Sequence, residues 1–187
     1  GADDRHRSVR AAFEVSWQSL PEAEAEAFAA LAVFRGPFGR DAAEAVAGAS
    51  VQTLGSLVDR SLLRLNREGR YERHPLLSAF AREKLAERPA LEGRARERHL
   101  DWFTTWMADV AERYERTPST RLAREAVAAH ADLMAVLEDA VEAGEAELAA
   151  RAASSLALYW LWRGRWTEGR TWIDRVRDLG FPPGSPR

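Results

Sequence analysis

SLLRLNREGRYERHPLLSAFAREKL, residues 61–85, is the stretch on which the fold of this chain turns. Two short runs, residues 62–66 and 70–73, flank a turn at Arg67-Glu68-Gly69. Leu63 and Leu65 alternate with Arg64 and Asn66, which predicts a strand with one buried face. Gly69 supplies the positive φ that a tight hairpin requires. His74-Pro75 ends the second strand and opens a helix, since proline at a helix's first position lacks only an N–H that has no partner there. Leu76, Leu77, Phe80, Ala81 and Leu85 then form one apolar stripe at helical spacing. A hairpin runs straight into a helix, with a lone imidazole at the joint.

Upstream, the same period gives a helix over residues 8–20, with Val9, Ala12, Phe13, Ser16, Trp17 and Leu20 on one face. Ser19 and Glu22 have capping-box spacing around Pro21, and a second helix to about residue 32 carries Ala25, Phe28, Ala29 and Leu31 inward. Gly and Pro make residues 34–39 a loop. Asp41 and Glu44 repeat the cap spacing before a short helix that Gly48 ends. Ser50 caps the next helix, whose buried face is Val51, Leu54, Leu57, Val58 and Leu62. Three or four helices closed by a two-stranded wing is a winged-helix arrangement, expected to end near residue 88.

Downstream of Pro89, a wide apolar stripe runs over about seven turns from Leu91 through Leu100, Trp102, Phe103, Trp106, Met107 and Val110 to Tyr114. Thr117-Pro118-Ser119 breaks it. Residues 121–143 read as helical, with an interruption near His130 left open and Leu122, Leu133, Val136, Leu137 and Val141 inward. Gly144 stops that helix, and residues 145–163 form another on Leu148, Ala152, Leu156, Tyr159 and Trp160. Gly164 turns the chain, and residues 166–178 return with Trp172, Ile173 and Val176 inward. Trp160, Gly164 and Trp166 followed by a second amphipathic helix resemble half of a tetratricopeptide-type pair. One such pair leaves a face uncovered, which suggests a solenoid that continues past Arg187. The expected fold is mainly α: a winged-helix domain over residues 1–88, then a tetratricopeptide-like antiparallel helical array over residues 89–187.

Composition excludes several function classes. The 46% hydrophobic content allows a real core, and the net charge of −2 gives no bulk pull toward nucleic acid or an anionic membrane surface. The absence of cysteine removes disulfides and thiol chemistry and fits a reducing, cytoplasmic setting. No apolar run has the length of a membrane span. Lys84 is the single lysine among 27 basic residues. His6, His99 and His130 have no metal-ligand spacing and read as surface or partly buried structural residues. No carboxylate pair lies in an apolar setting, and Ser154-Ser155 lies inside a helix without a nucleophile turn, so no catalytic residue is expected and the chain reads as a non-enzyme.

Three segments, residues 5–46, 54–85 and 129–176, resemble the bacterial STAND-type signal-transduction ATPases, especially large LuxR-type and AfsR-like transcriptional regulators. The resemblance implies a nucleotide-binding core upstream, then this winged helix, then a helical sensor. The chain contains no G-x-x-x-x-G-K-[ST], so no cofactor is expected in it alone, while ATP or ADP is implied for the full-length protein. Arg73-His74-Pro75-Leu76 aligns with the family's Met-His-Asp motif, with Arg73 in place of Met and Pro75 in place of Asp. The resemblance gives His74 contact with the β-phosphate of ADP; the other reading of His74 is a helix-capping imidazole bonded to its own hairpin. It also implies as partners the upstream nucleotide-binding domain and, through the helical region, other protein subunits or an inducer.

A DNA-binding winged helix with a dimerisation or ligand-binding module is the alternative. Its recognition helix would be residues 51–60, exposing Gln52, Thr53, Ser56, Asp59 and Arg60, a nearly uncharged face. Residues 1–88 carry 13 basic and 13 acidic side chains, and only Arg64, Arg67, Arg70 and Arg73 cluster on the wing. Duplex affinity needs phosphate neutralisation, so direct DNA binding is not expected. The tryptophans of the second half, at helical spacing, read chiefly as core.

Overall fold

The computed structural model describes residues 2–117 and 120–180, and their side chains apart from those of residues 2–9, 111, 114, 115, 120–126, 128, 129 and 158. The expectations for His6, Val9, Tyr114, Leu122 and Pro118-Ser119 therefore lie outside the described residues. The chain is mainly helical with one two-stranded antiparallel hairpin among the described residues. It forms two compact units, Gly1–His99 and Leu100–Arg187. The expected boundary at residue 88 falls between two helices, whereas the first unit reaches eleven residues further, to His99.

In the first unit α1 is Ala2–Gln18, α2 Glu22–Ala30 with a 3-10 turn at Leu31–Val33, α3 Arg40–Ala47, α4 Val51–Asp59 and α5 Pro75–Ala86. Between α4 and α5, β1 (Arg64–Leu65) pairs with β2 (Tyr71–Glu72), Arg64 opposite Glu72 and Leu65 opposite Tyr71. Phe28, Leu31, Phe34, Phe38, Leu54, Leu57, Leu62 and Phe80 are buried at its centre. Trp17 of α1 packs its ring against Phe28 and Phe80. Lys84 lies over the Trp17 and Phe80 rings and pairs with Glu14 and Glu87, both at 3.4 Å.

Several local signals act as read. Gly48 ends α3 in the left-handed region (φ 63°), and Ser50 Oγ accepts the Thr53 N–H at 3.1 Å, a cap of about 1 kcal/mol. Two others do not. α2 and α3 start at Pro21 and Gly39 with no side-chain cap, and Ser19 Oγ instead donates to the Ser16 carbonyl. The cap spacings at Ser19/Glu22 and Asp41/Glu44 are therefore unused.

The hairpin is shorter than expected and its apolar residues face differently. Leu62 and Leu63 are buried because both N–H groups bond the Leu57 carbonyl, which folds them under the end of α4. Leu65 is 55% exposed, not inward. Val51 is likewise 55% exposed, at the outer edge of the α4 start. The turn owes as much to Asn66 as to Gly69: Asn66 Oδ1 accepts the N–H of Glu68 (3.0 Å) and of Arg70 (2.9 Å), and Gly69 takes φ 73°. The loop at residues 34–39 is anchored, since Phe38 exchanges two 2.9 Å backbone bonds with Tyr71 and stacks on Phe34.

α6, Pro89–Arg116, contains the boundary between the units. His99 on it is fully buried in the first unit with its ring edge on Phe34 at 4.9 Å, which corrects the surface or partly buried reading. In the second unit α7 is Thr120–Ala143, continuous through His130, α8 is Ala146–Trp162 and α9 is Trp166–Asp178. Short links at Gly144 (φ 74°) and Gly164 (φ 65°) reverse the chain and make the helices antiparallel. Thr104 and Ser155 share a 2.9 Å hydrogen bond, and Arg151 pairs with Asp101, joining the later part of α6 to α8. Of the expected α9 face only Val176 is buried: Trp172 is half-buried and Ile173 is 52% exposed. The inward line of α9 runs instead through Gly169 and Val176.

Gly169 lies flat on the Trp160 ring, where an added Cβ would come within 2.9 Å of the indole. Gly169→Ala is therefore expected to cost about 1–2 kcal/mol by overpacking, beyond the gain of about 1 kcal/mol that alanine brings to a helix. Gly55→Ala in α4, which meets nothing within 4 Å, is expected to stabilise by about 0.5–1 kcal/mol. Urea titrations of both variants check the contrast.

His130 stacks on Tyr159 with ring centroids 4.0 Å apart, and its Nε2 lies 3.8 Å from Glu168 Oε1. Burial pushes its pKa below the ordinary histidine value, against Glu168 and with some help from Arg165. The folded chain thus prefers the neutral ring, while unfolding takes up a proton below about pH 6.5. Stability is expected to fall as pH drops from about 6.5 toward the lower folded value. The difference in urea midpoint between wild type and His130→Gln should shrink from pH 7.5 to 5; a constant difference would refute it.

Candidate functional site

The joint between β2 and α5 carries the candidate site. Proline disfavours helical backbone at the residue before it, and His74 sits at φ −63°, ψ 144° as the N-cap of α5. Its Nδ1 accepts the Leu76 N–H at 3.3 Å. This is the capping role read as one alternative, though the bond runs to its own helix rather than to the hairpin. The bond has a chemical consequence. With Nδ1 accepting, the neutral ring carries its proton on Nε2, so the atom left to act is a donor.

His74 is exposed and lines a groove of about 520 Å³ between the end of α4, the hairpin and the start of α5. Val58, Leu63 and Leu77 give the groove apolar walls; Arg64 and Glu72 add a pair of opposite charges 2.7 Å apart. Ser61 on its rim is the described non-glycine residue in the left-handed region, at φ 60°. A helix start favours anions through its free N–H groups and dipole. Here Pro75 supplies no N–H and Leu76 gives its own to His74. The residues present fit a single contact to an anionic oxygen through Nε2–H, and they do not enclose a nucleotide.

The neighbouring Arg73, read as one of four wing cations, turns inward. Its Nη1 donates to the Leu31 carbonyl at 2.8 Å and its Nη2 to the Phe34 carbonyl at 2.9 Å. Arg64 is bound to Glu72, which leaves Arg67 and Arg70 of that cluster. The proposed recognition face contracts in the same way. Ser56 donates to Glu24 at 2.8 Å, Thr53 shares a 3.0 Å bond with Ser50, and Arg60 donates to Ser19 and lies 3.8 Å from Glu24. Of the five side chains read as exposed there, Thr53 and Ser56 are half-buried. Sequence reasoning missed Arg73 as an internal residue; the signal lay in its period-2 relation to Tyr71 on the face that meets Phe38.

Among the described residues no group of three or more His, Asp or Glu could hold a metal, and no helix is long and apolar enough to cross a membrane. Trp160 is buried, Trp162 is half-buried and Trp166 is 62% exposed, so the exposed tryptophan is the one after the turn.

The chain is similar to a protein named "Putative HTH-type transcriptional regulator" in Mycobacterium tuberculosis, at 30% identity over 192 residues, covering 95% of this chain and 21% of that protein. A Mycobacterium bovis protein of the same description matches equally. The regulatory protein AfsR of Streptomyces coelicolor is 35% identical over 129 residues, covering 58% of this chain and 13% of AfsR. The chain thus spans about a fifth of the length of the mycobacterial relatives it matches. No family model matches the chain, and no solved structure matches it.

Proposed function

We propose that this chain is the winged-helix and tetratricopeptide-like part of a bacterial STAND-type transcriptional regulator, of the LuxR-type or AfsR-like kind, and that its role is cytoplasmic and regulatory rather than catalytic. It couples the nucleotide state of an upstream nucleotide-binding domain to the helical array, which meets an inducer or other protein subunits. The observation that carries the reading is His74: an exposed imidazole at the mouth of a groove, with Nδ1 spent on its own helix and Nε2–H left to donate. In the full-length protein His74 donates to a phosphate oxygen of bound ADP and favours the resting state. The similarity to transcriptional regulators, AfsR among them, supports the regulatory class.

His74→Ala in the full-length protein is expected to raise basal reporter output, shifting the off–on balance about tenfold, the worth of one good hydrogen bond to a charged group. Unchanged output at native expression would sink the sensor role.

The words "HTH-type" in the relatives' names favour a second reading, duplex DNA binding by this winged helix. The geometry speaks against it, because Arg60, Arg64 and Arg73 are engaged within the chain. In a gel shift at about 0.15 M salt, micromolar chain is expected to leave duplex DNA unshifted. A salt-dependent complex there would select the second reading.

A further inference from the structure

Arg73 does more than fill space. Its two parallel bonds end on the carbonyls of Leu31 and Phe34, at the end of α2 and of the 3-10 turn that follows it. That is the negative end of a helix, where a cation is favoured. A guanidinium spans two carbonyls with a rigid fork, which an ammonium cannot do. The guanidinium carbon also lies 5.5 Å from the centre of the Phe38 ring, and Phe38 exchanges backbone bonds with Tyr71. Residues 71–73 are thus held to residues 31–38 by four hydrogen bonds. The next residue is His74.

We infer that Arg73 is the positioning residue for His74: its fork fixes the β2–α5 joint against the end of α2, so that Nδ1 stays within reach of the Leu76 N–H and Nε2–H stays at the groove. The functional weight of this inference rests on the role proposed for His74; its geometry does not. A shift of the α2 end relative to the joint would pass through Arg73 and reset the imidazole, so the cap is a readout of where α2 ends.

Amide exchange at Leu76, followed by NMR on the 187-residue chain, tests this. Arg73→Met is expected to speed Leu76 exchange about tenfold while Phe80 and Leu85 in the same helix keep their wild-type rates. Arg73→Lys, which keeps the charge and loses the fork, should give a smaller rise confined to His74 and Leu76, and it carries the test if the Met variant does not fold. An unchanged Leu76 rate, or a rise shared equally by Phe80 and Leu85, overturns the inference. His74→Ala should raise Leu76 exchange in the same assay. Failure of that variant to alter reporter output in the full-length protein would defeat the nucleotide role while leaving the positioning result standing.

Discussion

Proline at position 75 holds the residue before it out of the helix, and the first unit is arranged around that restriction. The chain must be extended at His74 and helical one residue later. A strand that ends this abruptly needs its last residues held from outside. Tyr71 is held by Phe38, Glu72 by Arg64 and Arg73 by the carbonyls of Leu31 and Phe34. A helix that starts this abruptly needs its first free N–H satisfied, and His74 supplies the acceptor. The proline that makes the joint sharp also removes a donor that an anion would have used. The candidate site accordingly offers one imidazole nitrogen at a groove rather than a nest of amides.

Much of this was legible because it is local. Gly48, Ser50, Gly69 and the His74-Pro75 pair act within a few residues of themselves, and each appears where its own backbone preference puts it. The long helices were legible from period alone. What escaped was settled by contacts distant in sequence. Leu65 obeys the alternation of a strand, yet it has no layer to cover it and lines the groove instead. Arg73 carries a charge that reads as surface, while two carbonyls forty residues upstream turn it inward. His99 looked like a scattered polar residue, and its ring lies buried against Phe34. Ile173 falls outside because the α8–α9 contact is centred on Gly169 and Val176, a line that hydrophobicity alone does not single out. At the candidate site, the place of His74 at the strand–helix joint was legible and capping was one of two readings left open, whereas Arg73 was taken for a wing cation.

The distribution of arginines bears on function more than their number. A winged helix that grips duplex DNA must keep cations free to meet phosphates. Here several are paired within the chain, at the surface for Arg60 with Glu24, Arg64 with Glu72 and Arg88 with Glu22, and turned inward for Arg73 on two carbonyls. Such pairing leaves fewer cations for phosphate, and a balanced charge pattern is one that, at interfaces in general, selects orientation. The chain is similar to a segment making up about a fifth of much longer mycobacterial proteins.

Lys84 leaves a different mark. It is the single lysine of the chain, its side chain is 12% exposed, and it is roofed by Glu14 and Glu87 above two aromatic rings. A lysine-specific protease therefore has one scissile bond, inside α5, and reaches it only when that helix lifts away from α1. The first unit carries its own built-in reporter of opening.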